Sequence, residues 1–392
     1  MNTIETFKYK IENLKQFIDS NNLNRKKEPQ EYINFLIQNQ YTEFFLLNNN
    51  GFEFTKYIEF LKPLSQVSAS LALSFSMHLY TMWGIKYLTK FKNVNAQSLF
   101  SEIIRNNHLI CSLNDPNLYF LSTKDIREKG LPIVAERKEN GDYIVNGLKK
   151  YVSLEPYVKY LPVYAQIKNV ETSSYGIAIL LIDKFSSGVK VEQTWDSMAM
   201  KDTDSNDIYF SNVIVPQNKI LISEKENINK ANIFGYLFRF NISCVYYSIA
   251  ENALEYIVGK CKEKKVYPKD IALSRYPGVQ FSLANMLIKL ETMKSQLHKL
   301  GHLMESFYEH GENSEIDTTS LITKEYITAT AQEIINEGMK IEGIASLSQN
   351  SPLSQLLLDC KAGQFHPPQR DITLEILAKR KLGIISLRNR WC

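Results

Sequence analysis

The stretch Gly141-Asp142-Tyr143-Ile144-Val145-Asn146-Gly147-Leu148-Lys149-Lys150-Tyr151-Val152-Ser153 follows the turn signal at Asn140 and alternates with a period near two, so it reads as a β-strand leaving a tight turn. The same short period runs from about Leu109 to Pro216, through YLPVYAQI, YGIAILLID, VKVEQTW and DIYFSNVIVP, with a second turn signal at Ser186-Ser187-Gly188. A period of two in runs broken by turn residues predicts an antiparallel β domain over 109–223. Upstream, residues 1–108 carry long Leu, Ile and Phe spacings with breaks near Pro29, Asn48 to Gly51 and Pro63, which predicts an N-terminal α-helical domain. Downstream, after a charged linker from Glu224 to Lys230, helical spacing returns and defines a C-terminal antiparallel helical bundle over 224–392. Three faces carry that reading: Tyr247, Ala250, Leu254, Ile257 and Cys261; Leu283, Leu287, Leu290, Leu297 and Met304; and Ala331, Ile334, Ile335, Gly338, Ile341 and Ala345. The fold class is α+β multidomain, in the order helical, β, helical.

Composition limits the function classes. The chain has 392 residues, 44% hydrophobic and 22% charged, which argues against disorder and against a disulfide scaffold. A net charge of +4 is too weak and dispersed to suggest nucleic acid or an anionic membrane as partner. Small-molecule substrates fit better. The five cysteines lie far apart and form no CxxC pair, so no zinc site is expected and a reducing cytoplasm fits. The first residues, MNTIETFKYKIENLKQF, contain no apolar h-region, so no secretory signal is expected. From Val67 to Ile85 the chain carries no formal charge over a span long enough to cross a bilayer, but its serines, Thr81 and His78 point instead to a helix buried on most sides.

The segment from Gly141 to Ser153 resembles the "GDxYxxNGxKxWIT" hairpin of the acyl-CoA dehydrogenase superfamily. Met198 to Lys201, Asp207 to Phe210 and Val213 to Pro216 resemble its "MGxR...xDVxFxxVxVP" close, and Ser282 to Met286 and Ser351 to Asp359 resemble its bundle landmarks. The resemblance is collinear over essentially the whole chain. It implies FAD, with FMN as the alternative, bound between the β domain and the bundle of a homodimer or homotetramer. It also implies a substrate such as an acyl-CoA, from which a glutamate takes the α-proton while a hydride passes to the flavin.

The resemblance places Tyr151, Val152 and Ser153 beside the flavin, Asn114 in the segment following its edge, and Gly343 in the glycine-bearing segment at the adenine end. Lys265 or Lys340 would meet pyrophosphate there. Two departures stand out. The run Asn117-Leu118-Tyr119-Phe120 replaces a glycine-rich loop. The base is missing from both positions the family uses: Pro367 stands at the "YEGT" glutamate, and Phe238 at the alternative on the first bundle helix.

The remaining candidates rest on residue chemistry alone. His366, before Pro367-Pro368, is the candidate acid or base; the plain alternative is a turn histidine. His78 and Arg239 are candidate substrate contacts; the plain alternatives are a satisfied core histidine and a paired buried cation. Asp371 and Glu375 fit helix-dipole roles, and Cys111 fits a buried apolar one. Three functions follow: an acyl-CoA dehydrogenase-like oxidoreductase with a displaced base, ranked first because the whole-chain resemblance persists; a monooxygenase using reduced flavin on the same scaffold; and a binding scaffold without catalysis.

Overall fold

The computed structural model describes residues 3–22, 28–43, 54–91, 93–115, 130–170, 175–311 and 313–384. The N-terminal helices are α1 (Thr3–Asn22), α2 (Pro29–Gln38), α3 (Phe54–Val67), α4 (Ala69–Thr89) and α5 (Val94–Arg105). Pro29 opens α2, where a missing backbone N–H costs nothing. Residues 48–51 lie outside the described residues. Pro63 does not break the chain; it sits inside α3. Tyr57, Phe60, Leu61 and Leu64 of that helix are fully buried, and their burial outweighs the roughly 3 kcal/mol an internal proline costs. Ser68 alone separates α3 from α4 and caps α4 by accepting the Leu71 N–H at 3.3 Å. Every residue of α4 from Ala69 to Ile85 is buried, which accounts for its uncharged sequence. Among the described residues no helix is long and apolar enough to cross a membrane.

The sheet comprises β1 (Leu109–Ile110), β2 (Ile133–Arg137), β3 (Tyr143–Val152), β4 (Val158–Ile167), β5 (Ile177–Asp183), β6 (Val189–Glu192), β7 (Asn206–Val215) and β8 (Ile220–Ile222). Its order is β6-β7-β3-β2-β4-β5-β8, with β1 beside β4. It is mostly antiparallel. The exceptions to the expected pattern are β1 and β2, each parallel to β4. Both are short strands whose partner β4 lies far along the chain, so periodicity cannot orient them. The two turn signals hold, with Gly141 at φ +87° and Gly188 at φ +88°. Gly147 is required by space as well as by its φ of +140°, since a Cβ there would lie 2.4 Å from the Pro132 carbonyl oxygen. Glu224, the first residue of the expected charged linker, is buried; it accepts the Tyr143 hydroxyl at 2.6 Å and pairs with Arg137 at 3.6 Å.

The C-terminal bundle is built from α6 (Asn232–Glu263), α7 (Pro277–His310), α8 (Ile316–Glu342), α9 (Pro352–Lys361) and α10 (Arg370–Lys381), with the hairpin β9 (Lys265–Val266) and β10 (Ile271–Ala272) between α6 and α7. Helix α6 is central, packing on α3, α4, α7 and α8. Its expected apolar face is buried throughout. On α7 the buried stripe runs instead through Met286, Leu290, Met293, Leu297, Leu300 and Met304; Leu287 is half exposed, one position off that stripe. Ala345 also leaves its expected face, because α8 ends at Gly343, whose φ of +79° turns the backbone.

Candidate functional site

On the β side, Tyr151 and Ser153 sit at the end of β3. Four non-glycine residues with left-handed backbone cluster there: Tyr151 (φ +56°), Leu154 (φ +65°), Met200 (φ +50°) and Asp204 (φ +44°). Such conformations cost energy and persist where the surroundings fix them. The Tyr151 N–H donates to Asp207 Oδ1 at 3.1 Å, while the residue as a whole is 57% exposed. Val152 is buried beside it. The Ser153 hydroxyl is 2.9 Å from Ser205 Oγ, which is 2.9 Å from Thr203 Oγ1. This wall offers an exposed aromatic side chain and a hydroxyl, a combination that suits a planar, uncharged, hydrogen-bonding ring system such as isoalloxazine.

The bundle side is built by α4, α6, α8 and the turn after α9. His366 Nε2 lies 2.9 Å from the Tyr246 hydroxyl, and its ring meets Phe238 edge-on at 6.4 Å between centroids. Phe238 in turn packs edge-on against Tyr80 at 5.6 Å. The Tyr80 hydroxyl bonds Ser112 Oγ, and both oxygens receive the Asn114 N–H, at 3.3 and 3.1 Å. The structure therefore brings Asn114, Phe238 and His366 into one chain of contacts. Helix α4 reaches α6 closely because Gly84 leaves room for Phe234; a Cβ there would come within 2.2 Å of that ring. Burial, reinforced by the positive charge of Lys324, drives the His366 imidazole down to about 3, so it is neutral. Lys324, fully buried on α8, donates to the Pro368 carbonyl at 3.0 Å and is itself brought down to about 8 by burial. Among the described residues no carboxylate bonds His366.

The other expected site residues have partners of their own. His78 is buried; its Nδ1 accepts the Ile110 N–H at 3.2 Å, so its Nε2 donates to the Thr42 carbonyl at 3.3 Å, and burial takes it down to about 4. Arg239 pairs with Asp317 and donates through Nε to Ser320 at 2.8 Å. Burial alone would raise the Asp317 carboxyl; Arg239 and Arg380 outweigh it and hold the group below its usual range. These are the satisfied-core and paired-cation arrangements that the residue types allowed. At the expected adenine end Gly343 is exposed with open space around it, while Lys265 pairs with Asp270 at 3.2 Å and Lys340 with Glu337 at 3.1 Å. Residues 116–129, which include the bulky run after Asn114, lie outside the described residues. Sequence reading missed Tyr246, Lys324, Thr203 and Ser205: nothing in a one-dimensional pattern marks a tyrosine 120 positions from its histidine. A cleft of about 410 Å³ lies elsewhere, between Asn93 to Asn95 and Glu224, and none of the site residues lines it.

A helical, mostly antiparallel β, helical chain whose aromatic and hydroxyl wall is joined to the bundle through Met200 and Asp359 is consistent with the class of flavoprotein oxidoreductases. The chain belongs to the acyl-CoA dehydrogenase superfamily: residues 130–213 match the acyl-CoA dehydrogenase middle domain and residues 236–382 the acyl-CoA dehydrogenase C-terminal domain. It is 27% identical over 249 residues to YdbM of Bacillus subtilis (strain 168), a protein named for acyl-CoA dehydrogenase, covering 64% of this chain and 63% of that one. The match thus spans under two thirds of that relative's length. To an acyl-CoA dehydrogenase of the same organism it is 22% identical over 335 residues, covering 85% of this chain and 84% of the relative. Among solved structures, KijD3 bound to FMN and a dTDP-sugar superposes with a TM-score of 0.81 at 16% identity, covering 99% of this chain and 95% of that one. Butyryl-CoA dehydrogenase from Megasphaera elsdenii superposes with a TM-score of 0.79 at 17% identity, covering 97% and 98%. At those identities the structures establish the fold alone.

Proposed function

We propose that this protein is a flavin-dependent oxidoreductase that works with reduced flavin and dioxygen as a monooxygenase of a compact small molecule. The observation that carries the reading is the neutral His366–Tyr246 pair beside Phe238. Both positions from which the family draws a carboxylate base hold side chains unable to take a proton, Pro367 and Phe238. An imidazole with a pKa near 3 is too weak a base for a carbon-bound proton but remains a good hydrogen-bond donor. The two leading sequence readings therefore change order. When bound, reduced flavin supplies two electrons, and one oxygen atom of O2 enters the substrate while the other leaves as water. The chain's own groups hold the ring with Tyr151 and Ser153 and line the bundle side with Phe238 and His366, which the buried Tyr80 and Tyr246 support from behind. The aromatic contacts joining α4 to α6 and α6 to the turn after α9 favour a compact substrate over a long acyl chain. FMN is favoured over FAD, because the lysines at the adenine end are already paired with carboxylates. Assembly with a second copy of this chain, as a homodimer or homotetramer, is supported by Phe281 and Ile288, exposed seven residues apart on α7.

Oxygen uptake with FMN and a separate flavin reductase tests the reading. Protein-dependent uptake with a substrate panel, and no anaerobic bleaching of protein-bound flavin by acyl-CoA thioesters, is the expected result. Bleaching by a thioester would overturn it and restore the dehydrogenase reading, which the family's middle and C-terminal domain matches favour.

A further inference from the structure

Three hydroxyls and one carbonyl form a chain whose direction can be assigned by counting protons. Thr203 Oγ1 donates to the Met200 carbonyl at 2.9 Å, which uses its single proton. In the 2.9 Å contact between Thr203 and Ser205 the proton must then come from Ser205. In the 2.9 Å contact between Ser205 and Ser153 it must come from Ser153. Thr203 and Ser205 are buried, so water does not compete for these positions. The carbonyl that terminates the chain is itself fixed. Met200 has a left-handed backbone, its N–H donates to Asp359 Oδ1 of α9 at 2.6 Å, and its oxygen also receives the Thr203 N–H at 3.2 Å. With all three contacts made at once, the proton of Ser153 points inward and its oxygen turns lone pairs outward.

We infer that Ser153 is a redox-state discriminator: an obligate hydrogen-bond acceptor toward the flavin ring, whose direction is set by Ser205, Thr203 and the Met200 carbonyl. Reduced flavin carries a ring N–H at N5 that such an oxygen accepts, whereas oxidised flavin has a lone pair there and meets oxygen against nitrogen. The wall therefore favours reduced flavin over oxidised flavin. The inference rests on the proposed placement of the flavin against Ser153.

The test compares dissociation constants of the full chain for oxidised FMN, by fluorescence, and for FMNH2, by anaerobic titration. In Ser205→Ala the Ser153 proton is freed to donate to oxidised flavin, so the ratio of the oxidised to the reduced constant should fall about tenfold. Thr203→Val should move the ratio the same way, because Ser205 then donates to Ser153; this second variant covers the case in which the first folds poorly. A ratio unchanged or raised in the folded variants would overturn the inference. Ser153→Ala separates the two claims. If it changes FMN binding while the Ser205 and Thr203 variants leave the ratio alone, the placement stands and the direction of the chain is wrong. If it changes neither constant, the flavin is not where the proposed function puts it and the inference falls with it.

Discussion

The Nε2 atom of His366 and the hydroxyl of Tyr246, 120 residues apart in sequence, lie 2.9 Å from each other at the junction of α6 with the turn after α9. The pair is uncharged on both sides: burial raises the tyrosine well above its ordinary value and drives the histidine down. Tyr246→Phe leaves the ring and removes the hydroxyl, so His366 Nε2 loses its partner in a half-buried position. A loss of about 1–2 kcal/mol in unfolding free energy is expected, read by urea titration. His366 should stay neutral at pH 6, because burial is the larger cause of its low value and Lys324 the smaller; an imidazole NMR titration midpoint above 6 would contradict that.

His78 gives the fold an acid-sensitive window. Its folded-state pKa of about 4 lies below the ordinary value of 6.5, so between those limits the unfolded chain binds more protons than the folded one. The sign follows: the contribution is intact above pH 6.5, and stability is lost as pH falls toward 4, by up to about 3 kcal/mol from this residue. His78→Gln can still accept from Ile110 and donate to Thr42. It should lower stability at pH 7 yet flatten the decline between pH 6.5 and 4.5. Parallel urea midpoints for the two proteins check this, and equal slopes would remove His78 as the cause.

The legibility of this chain was uneven, for physical reasons. Strand periodicity and turn chemistry are local, and β3 to β7 formed where the alternation and the Gly141 and Gly188 turns placed them. The stretch from Ala69 to Ile85 announced its burial through its lack of charge. Strand orientation was not local: β2 lies parallel to β4 because of pairing that no window contains. Pro63 misled because a propensity of a few kcal/mol is smaller than the burial of Tyr57, Phe60 and Leu61. In the site, residue chemistry singled out His366, but neither its partner Tyr246 nor Lys324 behind the turn could be read from spacing. The Ser153 hydroxyl was visible in sequence; that Ser205 and Thr203 orient it was not.

Phe238 is the side chain whose removal should open the site. It is 4% exposed and touches Tyr80 and His366, so Phe238→Ala leaves a cavity at the α4–α6 crossing. A cost of about 3 kcal/mol is expected, together with a shift of the turnover profile toward bulkier substrates relative to compact ones. Thermal unfolding and a substrate series of increasing size test the two halves separately. A uniform loss of activity across the series would mean that Phe238 supports the fold without setting substrate size.

Asp359 joins the bundle to the β wall, and its charge works against it. Its carboxyl is buried and held above the usual carboxylate range, first by burial, with the Met200 N–H and Gln355 acting in the opposite direction. A carboxyl whose folded-state pKa is raised favours folding when protonated, so this contribution is present at low pH and is lost as pH rises through that value. Its position still requires an acceptor, because the Met200 N–H would otherwise be buried without a partner. Those two requirements separate under substitution. Asp359→Asn keeps an oxygen for Met200 and removes the buried charge, so at pH 7 to 8 it should match or exceed the parent protein in stability. Asp359→Ala removes the acceptor and should cost about 1–3 kcal/mol at every pH. If Asn proves as damaging as Ala at pH 8, the ionised carboxylate itself is what holds Met200, and the link between α9 and the Ser153 wall is ionic rather than a neutral hydrogen bond.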